Sequence, residues 1–429
     1  MSLAFLFAVF FVLLIVGVPV VFAMVLASVA FLVGFGGGLP LAIVPHQMVA
    51  GMDNFPLLAV PFFFLAGEIM NAGGITQRLV DFAAALVGHI RGGLGYVAIV
   101  VNMIMAGFSG SAVADASATG AVLIPAMKRE GYPADFAAAV TASAATIGPI
   151  IPPSIPMIVF AVVAEVSVGS LFMAGIVPGL LMGLYLFVVV YLLCRHRGHG
   201  MRARSTWPEL VRATRRAVWA LLAPVIILGG IVGGVVTATE AAALAVLYSL
   251  VIATLVHREL RLADLPRIFR ETAVATGLIM IIVGASGIMG WLVANLRIGE
   301  AVVHWVTRMT ESPWLVLLLL NLFFLVVGCL MDPLAGMLIF VPVFLPLVKH
   351  LHIDAVHFGV IVVLNLMIGL LTPPVGYLLY LSAGIAGIEI DRVVRAVIPF
   401  LVALLAVLVV VTYWPRLILA IPNLLQPPR

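Results

Sequence analysis

The chain has 429 residues, of which 64% are hydrophobic and 9% charged, with a mean hydropathy of +1.28. Soluble globular chains carry roughly 25% charged residues, so this composition excludes a soluble domain of any size and indicates an all-α polytopic membrane protein. The net charge of +4 does not indicate a nucleic-acid partner, because the basic residues lie in short loops between apolar runs, where they set topology.

In chain order, apolar runs fall at 3–16, 20–35 and 56–74. The first lacks a basic n-region and leads straight into the second, so it reads as an uncleaved membrane segment and not a signal peptide. An amphipathic stretch follows from Thr76, then a long apolar run over 93–129, a proline-broken segment over 133–165 and a last span over 169–194. After the basic segment 195–216 the series repeats, at 217–236, 239–256, 274–294, an amphipathic stretch from Arg297, then 313–349, 354–386 and 396–415. His196 and His199 stand among arginines in the basic segment and read as a solvated loop. Cys194 and Cys329 are far apart with no metal-ligand spacing, so neither a disulfide nor a metal site is predicted.

An offset of 221 residues relates the two series. It places Gly107 on Gly328, Pro125 on Pro346, Lys128 on Lys349, Gly148 on Gly369, Pro152 and Pro153 on Pro373 and Pro374, and Pro178 on Pro399. Leucine matches are cheap in so apolar a chain, but matched Gly, Pro and Lys at fixed spacing indicate an internal duplication. The expected organisation is a first repeat over 1–194, with scaffold spans 1–74, hairpin 93–129 and broken helix 133–165. A cytoplasmic linker covers 195–216. A second repeat covers 217–429, with scaffold spans 217–294, hairpin 313–349 and broken helix 354–386.

A spanning helix needs about 20 residues, so each long run could be two spans or one re-entrant hairpin. If both are hairpins, each repeat crosses five times and the second is inverted. With the N-terminus outside, every basic residue except Arg297, Arg308, Lys349, Arg416 and Arg429 is then cytoplasmic, and the positive-inside rule favours this arrangement.

The chemistry lies at the breaks. In TIGPIIPPSIP, from Thr146, four prolines prevent a continuous helix. Carbonyls freed at mid-membrane can coordinate a hard cation, and IGLLTPPVG, from Ile368, repeats the design with a hydroxyl at Thr372. The hairpin tips add Ser109, Gly110 and Ser111 in one repeat and Gly328, Asp332 and Pro333 in the other. Two related cation sites fit this pattern; the alternative is that these small residues only allow close helix packing. Of the ionisable residues in apolar segments, Asp332 is the leading ion-site carboxylate and Asp115 the next, although either could instead cap a hairpin helix. Glu240 reads as a helix cap and His304 as interfacial. Glu68 could pair within the scaffold, lie near the cytoplasmic interface or take part in transport.

At SGSAVADASATG, IGPIIPPSIP, AGEIMNAGGI, MDPLAGMLIFVPVFLP and GLLTPPVG, the sequence resembles the large membrane subunit of tripartite ATP-independent periplasmic (TRAP) transporters, the DctM-like family of the ion-transporter superfamily. The resemblance covers essentially the whole chain. It implies an elevator-type transporter of the bacterial inner membrane that couples Na⁺ to uptake of an organic acid: a C4-dicarboxylate, keto acid or sugar acid. It implies a periplasmic substrate-binding protein and a small membrane subunit of about four helices as partners. That subunit is expected as a separate chain, because Met1 leads directly into the large-subunit pattern. Carried onto this sequence, the first sodium site maps to Ser109, Ser111, Gly148, Pro149 and Pro152, and the second to Gly328, Asp332, Gly369 and Thr372. Substrate is expected between the tips, near Ser109, Gly110, Ser111, Ala112, Pro333 and Pro374, held by backbone amides, half-helix N-termini and bound Na⁺. No other cofactor is implied. The alternatives are a stand-alone carboxylate carrier of the same superfamily, an integral-membrane enzyme, for which no catalytic constellation is visible, and a channel, for which no polar pore-lining span is visible.

Overall fold

The computed structural model describes residues 2–195 and 204–425, so His196 and His199 lie outside the described residues. The described residues form helices and connecting turns with no strand. This follows from the solvent, since a lipid-facing segment must satisfy its own backbone groups. Eight helices among the described residues are long and apolar enough to cross a bilayer.

The duplication is visible element by element. Helices Gly93–Ser109 and Ala112–Arg129 form the first hairpin, and Pro313–Leu330 with Pro333–His350 form the second. The pre-break helices Ala134–Ala145 and Ala355–Gly369 lead to the post-break helices Ile155–Ala164 and Tyr377–Ala386, and the last spans are Val168–Cys194 and Ile390–Tyr413. Both Pro-Pro bonds at the matched breaks are cis. Each arm of the second hairpin is itself long enough to span, so the re-entrant reading rests on the charge distribution and not on length.

Two stretches depart from the expected elements. The third span of the first repeat is preceded by a separate helix, Ile43–Met52, and enters through a 3-10 turn, Phe55–Leu58, before continuing as Ala59–Ala72. Its counterpart is one unbroken helix, Leu265–Asn295. The cause is local: Pro56 and Pro61 stand where the second repeat has Gly277 and Ile282, and the extended Asn54 ends the helical path. The basic segment 195–216 also contains a helix start. Trp207–Val232 begins inside it, with Pro208 in its first turn and the Thr206 N–H donating to Glu209 Oε2 at 2.8 Å, half of a capping box.

The helices are grouped into two bodies that also pack on each other, as where Leu265–Asn295 meets Pro333–His350. The hairpins, broken helices and last spans form an inner body, and Ala134–Ala145 and Ala355–Gly369 are almost wholly buried within it. The repeats interlock there. The second hairpin arm Pro333–His350 packs against Ile155–Ala164 of the first repeat, and Ala112–Arg129 packs against Tyr377–Ala386 of the second. The Lys128 ammonium donates to the Ala386 carbonyl at 2.8 Å, placing a positive charge at the C-terminus of the second post-break helix. Edge-on contacts of Phe358 with Phe160 and Phe324, each 6.1 Å between centroids, bring rings from both repeats together. The outer body interlocks likewise: Ala238–Val251 packs on Ala59–Ala72, and Leu265–Asn295 on Ile43–Met52 and Val20–Phe35.

Candidate functional site

Each break is a short run of turns between two helices. After Ala145 the first chain makes tight turns, Ile147 N–H to Ala144 O at 3.1 Å and Gly148 N–H to Ala145 O at 3.1 Å. The Ser154 hydroxyl then donates to the Pro149 carbonyl and accepts from Met157 N–H at 3.2 Å, capping the post-break helix. Among the described residues, no hydrogen bond reaches the carbonyls of Thr146, Gly148 or Pro152. These acceptors are buried, and buried acceptors need a partner.

The first hairpin brings a carboxylate up to this break. Asp115 is completely buried, with the Ser109 side chain as a polar neighbour and no cationic partner among the described residues. A methyl group added at Gly148 would stand 2.2 Å from Asp115 Oδ2, so the carboxylate presses directly on the break. A buried charge without a partner is strongly unfavourable, and this one faces an oxygen-only set of donors, the chemistry that suits a hard cation. At the tip, Gly110 takes the left-handed conformation (φ +60°), where a Cβ would lie 2.7 Å from the Pro153 carbonyl. Ser111 caps the second arm, accepting from Ala114 N–H at 3.4 Å, and Ser109 is buried beneath it.

The second site is built differently at the same positions. Asp332, the counterpart of Ser111, caps its arm: Oδ1 accepts from Leu334 N–H at 2.9 Å and Ala335 N–H at 3.2 Å. The counterpart of Asp115 is Gly336. Gly328 and Gly369 meet backbone to backbone, so that a Cβ on Gly369 would lie 2.4 Å from the Gly328 carbonyl carbon. The Thr372 hydroxyl donates to Ile368 O at 2.9 Å, and its oxygen keeps acceptor capacity beside the Cys329 thiol. No hydrogen bond from the described residues reaches the carbonyls of Leu371 or Pro373. The first break is buried while Pro373 and Pro374 are exposed. Gly175 and Gly179 let the last span close over Ile150 and Ile151, whereas the second repeat has Ala396 and Phe400 at those positions.

A cavity of about 100 Å³ joins the two tips. It is lined by Gly110, Ser111 and Ala112 of one hairpin, Asp332 and Pro333 of the other, Pro149 and Pro156 of the first break, and the outer-body side chains Phe64 and Ile279. Of the residues expected to meet substrate, Gly110, Ser111, Ala112 and Pro333 line it; Ser109 lies behind the tip and Pro374 is outside. No Lys or Arg lines the cavity. It is smaller than the roughly 300 Å³ at which small-molecule pockets usually begin, so a large acid needs the tips to part.

Other candidates resolve simply. Glu240 closes a capping box, accepting from Thr237 N–H at 2.7 Å. Glu68 lies in the outer body within electrostatic reach of Glu271 and Arg267, and His304 is exposed. A buried polar chain beside the second break escaped notice in the sequence: Asn365 Nδ2 donates to Asn321 Oδ1 at 2.7 Å, and Asn321 Nδ2 to Thr412 Oγ1 at 2.9 Å. Two asparagines in long apolar helices were its only signal.

Residues 7–417 match the model of the family described as "Tripartite ATP-independent periplasmic transporter, DctM component". The chain is 43% identical over 371 residues to the C4-dicarboxylate TRAP transporter large permease protein of Pseudomonas aeruginosa, covering 86% of this chain and 87% of that protein. It is 40% identical over 412 residues to the sialic acid TRAP transporter large permease protein of Vibrio cholerae, covering 96% of each. The fold is similar to that of the YdaH transporter of Alcanivorax borkumensis, with a TM-score of 0.64 at 14% identity over 90% of both chains. The relatives are transport permeases and not enzymes. With the family matched over nearly its whole length and the duplicated membrane helices in place, the chain belongs to the DctM component family of tripartite ATP-independent periplasmic transporters, as a multi-pass protein of the bacterial inner membrane.

Proposed function

We propose that this chain is the Na⁺-coupled permease of a tripartite system, taking an organic acid from a periplasmic binding protein beside a small membrane subunit. The observation that carries the proposal is Asp115, fully buried, without a cationic partner among the described residues and pressed against Gly148, at a break where no hydrogen bond from those residues reaches the Thr146, Gly148 or Pro152 carbonyls. A cation there neutralises the carboxylate and takes up the orphaned carbonyls together. The first site comprises Asp115 with Ser109, Ser111 and the backbone of Gly148, Pro149 and Pro152. The second comprises Gly328, Asp332, Gly369 and Thr372.

The acid binds between the tips, contacting the segment from Ser109 to Ala112 and that near Pro333. With no Lys or Arg on the cavity wall, its carboxylate is held by the amides that open the helix at Ala112 and by the field of the bound cations. Ordering of the tips by Na⁺ makes acid binding depend on Na⁺, which is the coupling. The inner body carries the load in an elevator motion against the outer body, because its two sites are built from elements that interlock with one another. The named substrates of the relatives, C4-dicarboxylate and sialic acid, define the first acids to test.

The test is uptake into proteoliposomes holding this chain and the small subunit, with labelled succinate or sialic acid and each candidate binding protein from the same genome. Uptake is expected only with an inward Na⁺ gradient and a binding protein present. Equal uptake without the binding protein would contradict the tripartite reading, and equal uptake with K⁺ in place of Na⁺ would contradict the coupling.

A further inference from the structure

Two pockets flank the place where the outer-body helices Trp207–Val232 and Ala238–Val251 cross. The Tyr248 hydroxyl donates to the Trp219 carbonyl at 2.6 Å at the crossing. On one side of it lies a polar pocket of about 560 Å³ whose wall includes Arg78, Arg215, Arg216, Trp219, His257 and Glu259. On the other lies an apolar cavity of about 170 Å³, reaching from Ala223 and Tyr248 to Phe108 of the first hairpin.

The charges in the polar pocket are unevenly used. Arg78 is committed to Glu259 by a salt bridge, and that hydrogen bond holds the Glu259 carboxyl below the usual glutamate range. Asp81 accepts from Gln77 at 3.0 Å. Arg215 and Arg216 are exposed, with no ion pair among the described residues. Trp219 lies one turn further along the helix, where an indole sits well at a membrane interface. Beyond it the helix is lipid-facing, with Val225 64% and Ile226 47% exposed. Ile226 and the exposed Leu244 both line the apolar cavity, which therefore opens sideways to the bilayer. From Arg216 to Gly230 the helix rises about 21 Å, enough to run the depth of one leaflet of about 15 Å.

We propose that this pair of pockets is a binding site for one anionic phospholipid, its headgroup phosphate against Arg215 and Arg216 and one acyl chain in the groove toward Phe108. Unpaired arginines beside a groove open to lipid match an anionic amphiphile in both chemistry and shape, and basic pockets between membrane helices are a recurrent lipid-headgroup site. The chain end meets Phe108, next to Ser109, so the lipid touches both bodies at once.

Native mass spectrometry of the detergent-purified chain with equimolar phosphatidylglycerol and phosphatidylethanolamine tests this. Wild type is expected to retain phosphatidylglycerol at least threefold over phosphatidylethanolamine, and the exposed double variant Arg215→Gln, Arg216→Gln to bring that ratio to about one. Ile226→Trp, which fills the groove from an exposed position, is expected to lower phosphatidylglycerol retention while leaving the melting temperature unchanged. No preference in wild type, or an unchanged ratio in the double variant, overturns the headgroup assignment. Unchanged retention by Ile226→Trp overturns the acyl-chain assignment. Displacement of the lipid by millimolar inorganic phosphate makes the site one for a free anion and overturns the lipid reading.

Discussion

At the residue scale, the two sites differ in where they keep their carboxylate. In the first it is Asp115, buried within the arm and facing the break; in the second it is Asp332, exposed at the tip and engaged as a helix cap. Asp115→Asn removes the charge and keeps the shape, so the Na⁺ concentration for half-maximal uptake should rise at least tenfold, about 1.4 kcal/mol. An unchanged Na⁺ titration would remove Asp115 from the site. For Asp332 the cap and the charge separate. Asparagine caps as well as aspartate, whereas alanine costs about 1 kcal/mol of helix stability. Asp332→Asn should therefore keep the melting temperature and raise the Na⁺ requirement, while Asp332→Ala changes both. If Asp332→Asn leaves Na⁺ dependence untouched, the residue is only a cap. The sequence made Asp332 the leading carboxylate because it sits at a Gly/Pro turn. The burial of Asp115 against Gly148 depends on a tertiary contact 33 positions away in the chain, which no local pattern announces.

At the scale of elements, the hairpins and breaks were legible because their cause is local: proline removes a donor, and glycine permits the left-handed turn at Gly110. The helix Ile43–Met52 was not legible, because its short apolar pattern is interrupted by no charge and ends at Asp53 and Asn54, which read as a loop. The start at Trp207 was masked by the surrounding arginines, although Thr206, Pro208 and Glu209 spell a helix N-terminus. The pairing of each hairpin with the opposite repeat's post-break helix is tertiary and had no sequence signal. Close approach of hairpin and break can be tested at Gly369, where a methyl group would meet the Gly328 backbone at 2.4 Å. Gly369→Ala should destabilise the protein by about 1–3 kcal/mol, read as a lower melting temperature; no change would mean that the two backbones are free to separate. On the outer body, the Arg78–Glu259 pair joins the two repeats. The folded-state pKa of Glu259 is depressed by Arg78, so its contribution is present above the unfolded value and is lost as pH falls through the folded one. Both groups are partly exposed, which limits the pair to less than about 1 kcal/mol. The melting-temperature gap between wild type and Glu259→Gln should be small at pH 7 and close as pH falls below 4.5. A gap that widens on acidification would contradict this assignment.

For the whole molecule, the interlocked inner body and the outer body meet closely where Gly107 of the first hairpin abuts Pro224, a contact in which an added Cβ would lie 2.5 Å from Pro224 Cβ. Movement of one body past the other must break that contact. With Cys194 and Cys329 replaced by alanine, a mercury bridge between Gly107→Cys and Pro224→Cys should abolish uptake and be reversed by thiol, whereas full uptake by the bridged protein would exclude the motion. The most direct test of the paired cation sites needs no substrate. It compares the melting temperature of the purified protein in NaCl and in KCl at equal ionic strength. Binding at ten times its Kd stabilises by about 1.4 kcal/mol per site, so unfolding should shift upward in NaCl, and the shift should vanish in the double variant Asp115→Asn, Thr372→Ala. Superimposable curves in the two salts would contradict the assignment of the duplicated breaks as sodium sites.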